Sequence, residues 1–394
     1  MKRLPEKEYV VTVLPMVKDR ISPDTLRQGV RFWPPEVLSE DAFTRAIAVE
    51  RQRTERSNMP FLLVLLDVAN RPDSEKSRSI LSKVAFALLR TVRETDVAGW
   101  WKDPATLGVI FTDLAIGDKS AVVNAILSRV SFTLRQQLTV AQLNQINISY
   151  YFFPDDWDDD GSGPACNQHL YPDLFHPGNG RRFQLCAKRG MDIVGSALLL
   201  ILCAPLFAII SAAIKVSSKG PVFFKQQRVG QYGRSFTFLK FRSMQVGCDS
   251  SVHENFVINL IAGRVKEEPS IKNRNNIYKL RNDKRVTRVG RFLRRTSLDE
   301  LPQLLNVFKG DMSLVGPRPP IPYELAAYRM WHRRRILHAK PGVSGLWQVT
   351  GRSRVKFDDM VRLDLRYSSS WTLWLDLKIL FQTPLAVIRG VGAY

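Results

Sequence analysis

The chain has little cysteine. Its four residues, Cys166, Cys186, Cys203 and Cys248, show no paired or metal-ligand spacing. That argues against a disulfide scaffold or a cysteine-held zinc, and fits reduced thiols on the cytoplasmic side. The first twenty residues, MKRLPEKEYVVTVLPMVKDR, contain no apolar run of signal-peptide type. Charge is absent from the 22 residues between Asp192 and Lys215. Acid is scarce in the second half: residues 181–394 hold 37 Lys+Arg against 14 Asp+Glu, a net of +23. Residues 1–180 hold 21 against 23, a net of −2. The basic character therefore belongs to one half of the chain. It points to nucleic acid, anionic lipid or a phosphorylated substrate. A length of 394 residues leaves room for two domains.

Residues 1–38 read as an N-terminal tail, with one β-prone run from Tyr9 to Leu14. Beyond them helices and strands alternate. Helices are expected at 39–58, 79–94 and 119–138, and strands at 61–68, 106–111 and 147–153. Residues 39–153 are thus expected to form an α/β domain. Residues 154–183 are rich in Pro, Gly and Asp, with five Asp between Asp155 and Asp160, and read as a solvated acidic linker.

The uncharged run IVGSALLLILCAPLFAIISAAI is long enough to span a bilayer. Two features argue against a straight span. Pro205 stands at its middle, where it is expected to break the helix. Cations flank both ends, which places both flanks on one side. The expectation is a re-entrant helix–break–helix hairpin over about 186–216, with Ser196 or Ser211 satisfying carbonyls freed at the kink. Residues 220–244 alternate Phe with Lys and Arg and read as a hairpin turning at Gly230–Gly233. Beside an apolar segment, that pattern suits lipid headgroups. Residues 256–265 and 323–338 read as helices, the latter carrying a wide cationic face suited to an interface. Trp371, Trp374 and Phe381 form an aromatic stripe that fits either interface anchors or ordinary packing.

The stretch from Arg291 to Glu324, RFLRRTSLDELPQLLNVFKGDMSLVGPRPPIPYE, carries the chemistry. Arginines flank adjacent carboxylates, Asp299 and Glu300, which is what metal-assisted phosphoryl chemistry needs. Two helix starts fit the sequence. With Ser297 as cap, Glu300 closes a capping box, but Pro302 deletes a backbone bond. With Asp299 as cap, Pro302 falls harmlessly in the first turn. The second is preferred. Taken alone, Ser-Leu-Asp-Glu more often marks an ordinary helix cap than a catalytic pair. The surrounding arginines and the Gly-Pro-Arg-Pro-Pro block shift that balance.

Four blocks, KRGMDIVGS (188–196), GPVFFKQQRVGQYGRSFTFLKFRSM (220–244), RNDKRVTRVGRFLRRTSLDELPQLLNVFKGDMSLVGPRP (281–319) and KPGVSGLWQVTGR (340–352), resemble the bacterial sugar transferases that are monotopic polyprenyl-phosphate phosphoglycosyl transferases. The resemblance covers about residues 184–394. It implies a mostly α catalytic domain with the re-entrant hairpin, although the family's usual Ser-Pro break is here Ala204-Pro205. It also implies attack by Asp299 on the sugar-proximal phosphorus of a UDP-sugar, then transfer to undecaprenyl phosphate. Glu300 would assist in metal binding or proton handling, so both acids are expected near Mg²⁺. Arg294, Arg318 and Arg352, with Lys240 and Arg242 more weakly, are expected to bind phosphate. Arg189 and Asp192 are expected to fix the hairpin base to the globular part.

The expected location is the cytoplasmic face of the bacterial inner membrane, against anionic lipids and without nucleic acid. The expected role is a first step in exopolysaccharide, capsule or O-antigen assembly. Rival readings are a transferase releasing nucleoside diphosphate and a non-catalytic membrane scaffold. The element order of residues 39–153 resembles diguanylate cyclase domains named for a Gly-Gly-Asp-Glu-Phe signature. At that signature the chain has Gly99-Trp100-Trp101-Lys102-Asp103-Pro104, so the acidic pair is missing. Asp67 matches only the first metal-binding Asp. The resemblance implies a degenerate copy suited to docking or to pairing two chains.

Overall fold

A computed structural model describes residues 37–68, 75–102, 105–114, 117–155, 166–175, 179–245, 254, 257–259, 261, 285–351 and 355–388. The chain divides into two compact units, residues 1–156 with 166–176, and residues 157–165 with 177–394. The expected strand at Tyr9–Leu14, the Asp156–Asp160 part of the acidic run, Phe256 and Arg352 lie outside the described residues.

In the first unit, α1 (Glu40–Ser57) precedes β1 (Phe61–Val68), α2 (Glu75–Leu89), β2 (Val97–Lys102) and β3 (Thr106–Phe111). Then come α3 (Lys119–Gln137), the single turn α4 (Val140–Leu143), β4 (Ile146–Phe153) and α5 (Pro172–Phe175). The strands form one sheet in the order β2-β3-β1-β4, with every neighbouring pair antiparallel. β1 and β3 are its inner strands, and the run FLLVLL of β1 is fully buried. A strand covered on both faces needs apolar residues at every position rather than at alternate ones. Phe43 of α1 lies flat on the sheet over Gly99 and Gly108. A β-carbon at either glycine would fall within 2.4 Å of its ring.

Two expectations change here. Val97–Lys102 forms a strand of its own, and α2 runs four residues earlier and ends five earlier than expected. Part of the supposed spacer is also folded. Arg51 pairs with Asp173 at 2.5 Å, and Tyr171 donates to Asp155 at 3.2 Å, so residues 166–175 pack on the first unit.

The second unit opens with α6 (Asn179–Ser217), followed by the hairpin β5 (Phe223–Val229) and β6 (Ser235–Phe241). α7 (Arg288–Thr296), α8 (Gln303–Lys309), β7 (Ser313–Val315), α9 (Pro322–Ala326) and α10 (Met330–His338) follow. β8 (Gly342–Ser344) pairs in parallel with β7, and α11 (Leu346–Thr350), α12 (Phe357–Ser369) and α13 (Leu373–Ile388) complete the unit.

α6 is one helix of 39 residues with Pro205 inside it, which corrects the expected break in secondary structure. A proline removes its own N–H and displaces the carbonyl four residues earlier, here Ile201, while the bonds on either side persist. Ser196 and Ser211 do not reach that carbonyl. They bond Ile193 O at 3.2 Å and Phe207 O at 2.6 Å, within their own turns. Asp192, Ser196, Ile210 and Ile214 form a buried stripe, while Val194, Leu198, Ile201, Leu202 and Ile209 are exposed. The helix from Arg182 to Ser217 is long and apolar enough to cross a membrane, and 11% of its most apolar window is buried.

The aromatic hairpin turns inward. Phe236, Phe238 and Phe241 are buried in the core, and Phe224 is exposed. The expected headgroup-facing surface is therefore corrected. Phe236 and Phe238, on one face of β6, pack with Leu304 and Val307 of α8, and Phe241, on the other face, packs on Phe207 of α6. The expected 323–338 helix is two helices, and its cationic face is not free. His332 and Arg335 are buried against Asp358 and Asp364 of α12. Those acids lie 26 and 29 residues further on, beyond any local periodicity. The aromatic stripe divides as well. Trp371 turns in to donate to Asp376 at 3.0 Å, and Trp374 and Phe381 remain exposed.

Candidate active site

The two carboxylates sit on a short 3-10 turn between two helices. α7 ends at Thr296, and Ser297 takes the left-handed conformation with φ 58°. Leu298–Glu300 then form the turn, and Pro302 stands immediately before α8. Neither expected helix start is realised. Ser297 closes the helix before it, and Pro302 rather than Asp299 holds the position before α8. The basic run has its own helix because Val289 and Leu293, four residues apart, give it an apolar edge. The Thr287 hydroxyl caps that helix by accepting from Gly290 N at 2.9 Å.

Asp299 is 8% exposed, and Glu300 points outward to Lys240 of β6, with Nζ 2.9 Å from Oε1. Asn306 of α8 brings β6 to this turn. Its Nδ2 donates to Thr237 O at 2.7 Å, and its Oδ1 accepts from Leu239 N at 3.1 Å. The amide thus docks on the strand as a neighbouring strand would. Arg294, on the last turn of α7, donates from Nε to Ser243 Oγ at 2.9 Å.

Arg318 enters from the loop after β7. Close backbone approach sets this loop. A β-carbon at Gly316 would lie 2.1 Å from Lys340 O, and one at Gly342 would lie 2.0 Å from Gly316 N. Glycine at both positions lets the Gly-Pro-Arg-Pro block lie against Pro341–Ser344. Arg228 of β5, absent from the sequence-based candidates, belongs to the same region. It is buried, stacks over Phe238 at 5.0 Å and donates to Pro319 O at 2.7 Å. Burial pulls its pKa down to about 10, and the Arg318 charge adds to that shift. Glu300 is among the charges that oppose it. Arg228, Arg318 and Glu300 therefore share one field.

Other candidates lie elsewhere. Arg242 is committed to the end of α6. Its Nη1 donates to Lys219 O at 2.9 Å, and its Nη2 to Ser218 O at 2.8 Å. That corrects its assignment as a phosphate ligand, because free carbonyls at a helix end attract a guanidinium. Arg189 donates to Val307 O at 2.7 Å and Phe308 O at 2.8 Å. Asp192 accepts from Ser313 Oγ and Leu314 N, both at 2.9 Å. Asp67 is half-buried on β1, in the first unit.

Among the described residues no group of three or more His, Cys, Asp or Glu side chains could hold a metal. Mg²⁺ needs less, since one or two carboxylates commonly suffice when phosphate and water oxygens complete its shell. Asp299 and Glu300 fit that pattern and do not fit an all-protein cage.

The galactosyl transferase CpsE of Streptococcus agalactiae is 42% identical over 53% of this chain and 44% of its own length. The undecaprenyl-phosphate galactose phosphotransferase of Salmonella typhimurium is 45% identical over 52% of this chain and 41% of its own length. The chain thus spans less than half the length of these two relatives. The exopolysaccharide production protein ExoY of Rhizobium meliloti is 43% identical over 53% of this chain and 88% of its own length. Among solved structures, a DGC protein from Thermotoga maritima covers 31% of the chain at 22% identity and a TM-score of 0.26. Residues 183–390, more than half of the chain, match the bacterial sugar transferase model, and the chain belongs to that family.

Proposed function

We propose that the second unit transfers a sugar 1-phosphate from a UDP-sugar to undecaprenyl phosphate, initiating polysaccharide assembly at the cytoplasmic face of a bacterial membrane. The observation that carries this reading is the turn itself. A largely buried Asp299 sits next to Glu300, Glu300 is paired with Lys240, and Arg228 and Arg318 share the field. Two of the relatives are named for galactosyl transfer and for undecaprenyl phosphate, which supports the substrate class.

An Asp299 carboxylate oxygen attacks the sugar-proximal phosphorus. The bond from that phosphorus to the bridging oxygen breaks, and UMP leaves with the electron pair. An oxygen of the lipid phosphate then attacks the aspartyl phosphorus, and Asp299 departs as a carboxylate. Arg318, Arg294 and Lys240 hold phosphate charge in line, and Arg352 is proposed with them. Bound Mg²⁺ would neutralise pyrophosphate charge beside Asp299 and Glu300.

The exposed apolar face of α6 suits lipid, and the cations at both of its ends suit phosphate headgroups. The first unit is proposed as a docking or pairing domain without cyclase chemistry. The test is the released nucleotide. UMP, formed only by a chain with Asp299 intact, supports the reading. Release of UDP would assign plain glycosyl transfer, and no nucleotide release with any UDP-sugar would favour the scaffold.

A further inference from the structure

The loop from Pro317 to Pro320 contains three prolines, so its four residues offer one backbone N–H. Such a loop has a single backbone donor and cannot pair as a regular strand. Each of its carbonyls is nevertheless held. Pro317 O accepts from Gly342 N at 2.9 Å, and Pro320 O accepts from Val229 N at 2.9 Å. Arg318 O accepts from Arg335 Nη2 at 3.0 Å, and Pro319 O accepts from Arg228 Nη1 at 2.7 Å. The donors come from β8, β5 and α10. The prolines are buried and Arg318 is half-buried. The Arg318 guanidinium makes no hydrogen bond or ion pair among the described residues. A pinned backbone thus presents one uncommitted cation.

Burying a guanidinium to satisfy a carbonyl is a costly solution where a backbone N–H or a water would serve. Two are buried here. Arg335 is 1% exposed, lies 2.7 Å from Asp364 and reaches Tyr328 OH at 3.3 Å. Arg228 is 6% exposed and is steadied by Gln226 at 3.0 Å. Neither can touch a substrate from such a position. Both are planar, multi-donor groups that fix direction as well as distance.

We propose that Arg335 and Arg228 are positioning residues, holding the carbonyls of Arg318 and Pro319 so that the Arg318 side chain is aimed at the donor pyrophosphate. This rests on the function proposed above. A misplacement of about 1 Å at a phosphate clamp costs on the order of 100-fold in rate, so the effect is large enough to measure.

A double-mutant cycle tests it, with the full chain in lipid nanodiscs. Arg335→Lys keeps a cation beside Asp364 but loses the forked reach to Arg318 O. We expect it to lower kcat/KM for the UDP-sugar on the order of 10- to 100-fold, and Arg318→Ala to do the same. In the Arg318→Ala background, Arg335→Lys then changes the rate by less than about twofold. Losses that multiply would overturn the proposal, because a general folding defect adds to any other. If Arg335→Lys does not fold, Arg228→Met enters the same cycle with the same expected outcomes. UDP affinity separates this claim from the functional one. A chain that binds UDP without transferring sugar phosphate refutes the proposed function, and the cycle is then read in UDP affinity. A chain that does neither overturns both.

Discussion

Lys188 Nζ lies 2.5 Å from Asp376 Oδ2, although the two residues are 188 positions apart. Asp376 also accepts from the Tyr367 hydroxyl at 2.7 Å and from the Trp371 indole at 3.0 Å. Lys188 donates to Val315 O at 3.1 Å, and the Tyr367 oxygen, whose one proton goes to Asp376, lies 3.1 Å from the same carbonyl. Burial, with Asp376 beside it, pushes the Tyr367 hydroxyl well above its ordinary range, so it stays a donor. This network ties the base of the apolar helix and the C-terminal helix to the strand that leads into Gly316-Pro317-Arg318. Asp376→Ala leaves a buried ammonium unpaired and is expected to cost about 3–5 kcal/mol. Asp376→Ala combined with Lys188→Met should recover much of that. Chemical denaturation of the four chains checks it, and equal stability of wild type and Asp376→Ala would count against the network.

The Lys240–Glu300 pair is partly exposed, with side chains 25% and 36% accessible. Exposed pairs contribute about 0–1 kcal/mol to stability. Lys240→Met is therefore expected to leave the melting temperature nearly unchanged while lowering kcat/KM at least about 10-fold. A parallel loss of both would make the pair structural only.

Gly316→Ala places a methyl group 2.1 Å from Lys340 O, and the neighbour is backbone. The β7–β8 contact must open to admit it. We expect a destabilisation of about 1–3 kcal/mol and a loss of transfer larger than that loss of folded protein explains. A fully active, fully stable Gly316→Ala chain would contradict the described approach of the two loops.

His332 has its pKa lowered to about 4, chiefly by burial, against the pull of Asp358. Its Nδ1 accepts from Arg329 N at 3.2 Å, which suits the neutral ring. A base depressed in the folded state contributes stability that is present above about pH 6.5 and lost as pH falls toward 4. Asp364, raised to about 6 by burial despite Arg335, acts in the opposite sense. Its contribution is full below about pH 3.8 and lost as pH rises through 6. The wild type should therefore lose its advantage over His332→Gln between pH 7 and pH 4.5, by up to a few kcal/mol. Melting temperatures of the two chains across that range measure the difference, and parallel profiles would refute the assignment.

Much of the fold was legible because local patterns decide it. The buried run Phe61–Leu66 reads as a covered strand, and Gly230–Gly233 as a turn, and the structure has both a strand and a turn there. What failed depended on partners distant in sequence. The helix continues through Pro205 because its remaining bonds outweigh one lost donor. Arg335 and His332 read as part of a cationic face suited to an interface, since nothing near them announces Asp364 and Asp358. Asp299, Glu300 and Lys240 stand out in the sequence as a motif, and the structure brings Lys240 to Glu300. Arg228 was missed because a single Arg in a Phe-rich hairpin carries no signal of burial. Arg242 was misplaced because the carbonyls it binds belong to the end of another element.

The most direct test of the central claim is the intact mass of the purified chain after incubation with a UDP-sugar and Mg²⁺, without lipid acceptor. The account predicts an adduct of sugar-phosphate mass that is discharged by undecaprenyl phosphate and absent in Asp299→Asn. No adduct with any UDP-sugar, together with normal turnover once the lipid is added, would contradict it and require direct transfer between the two bound substrates.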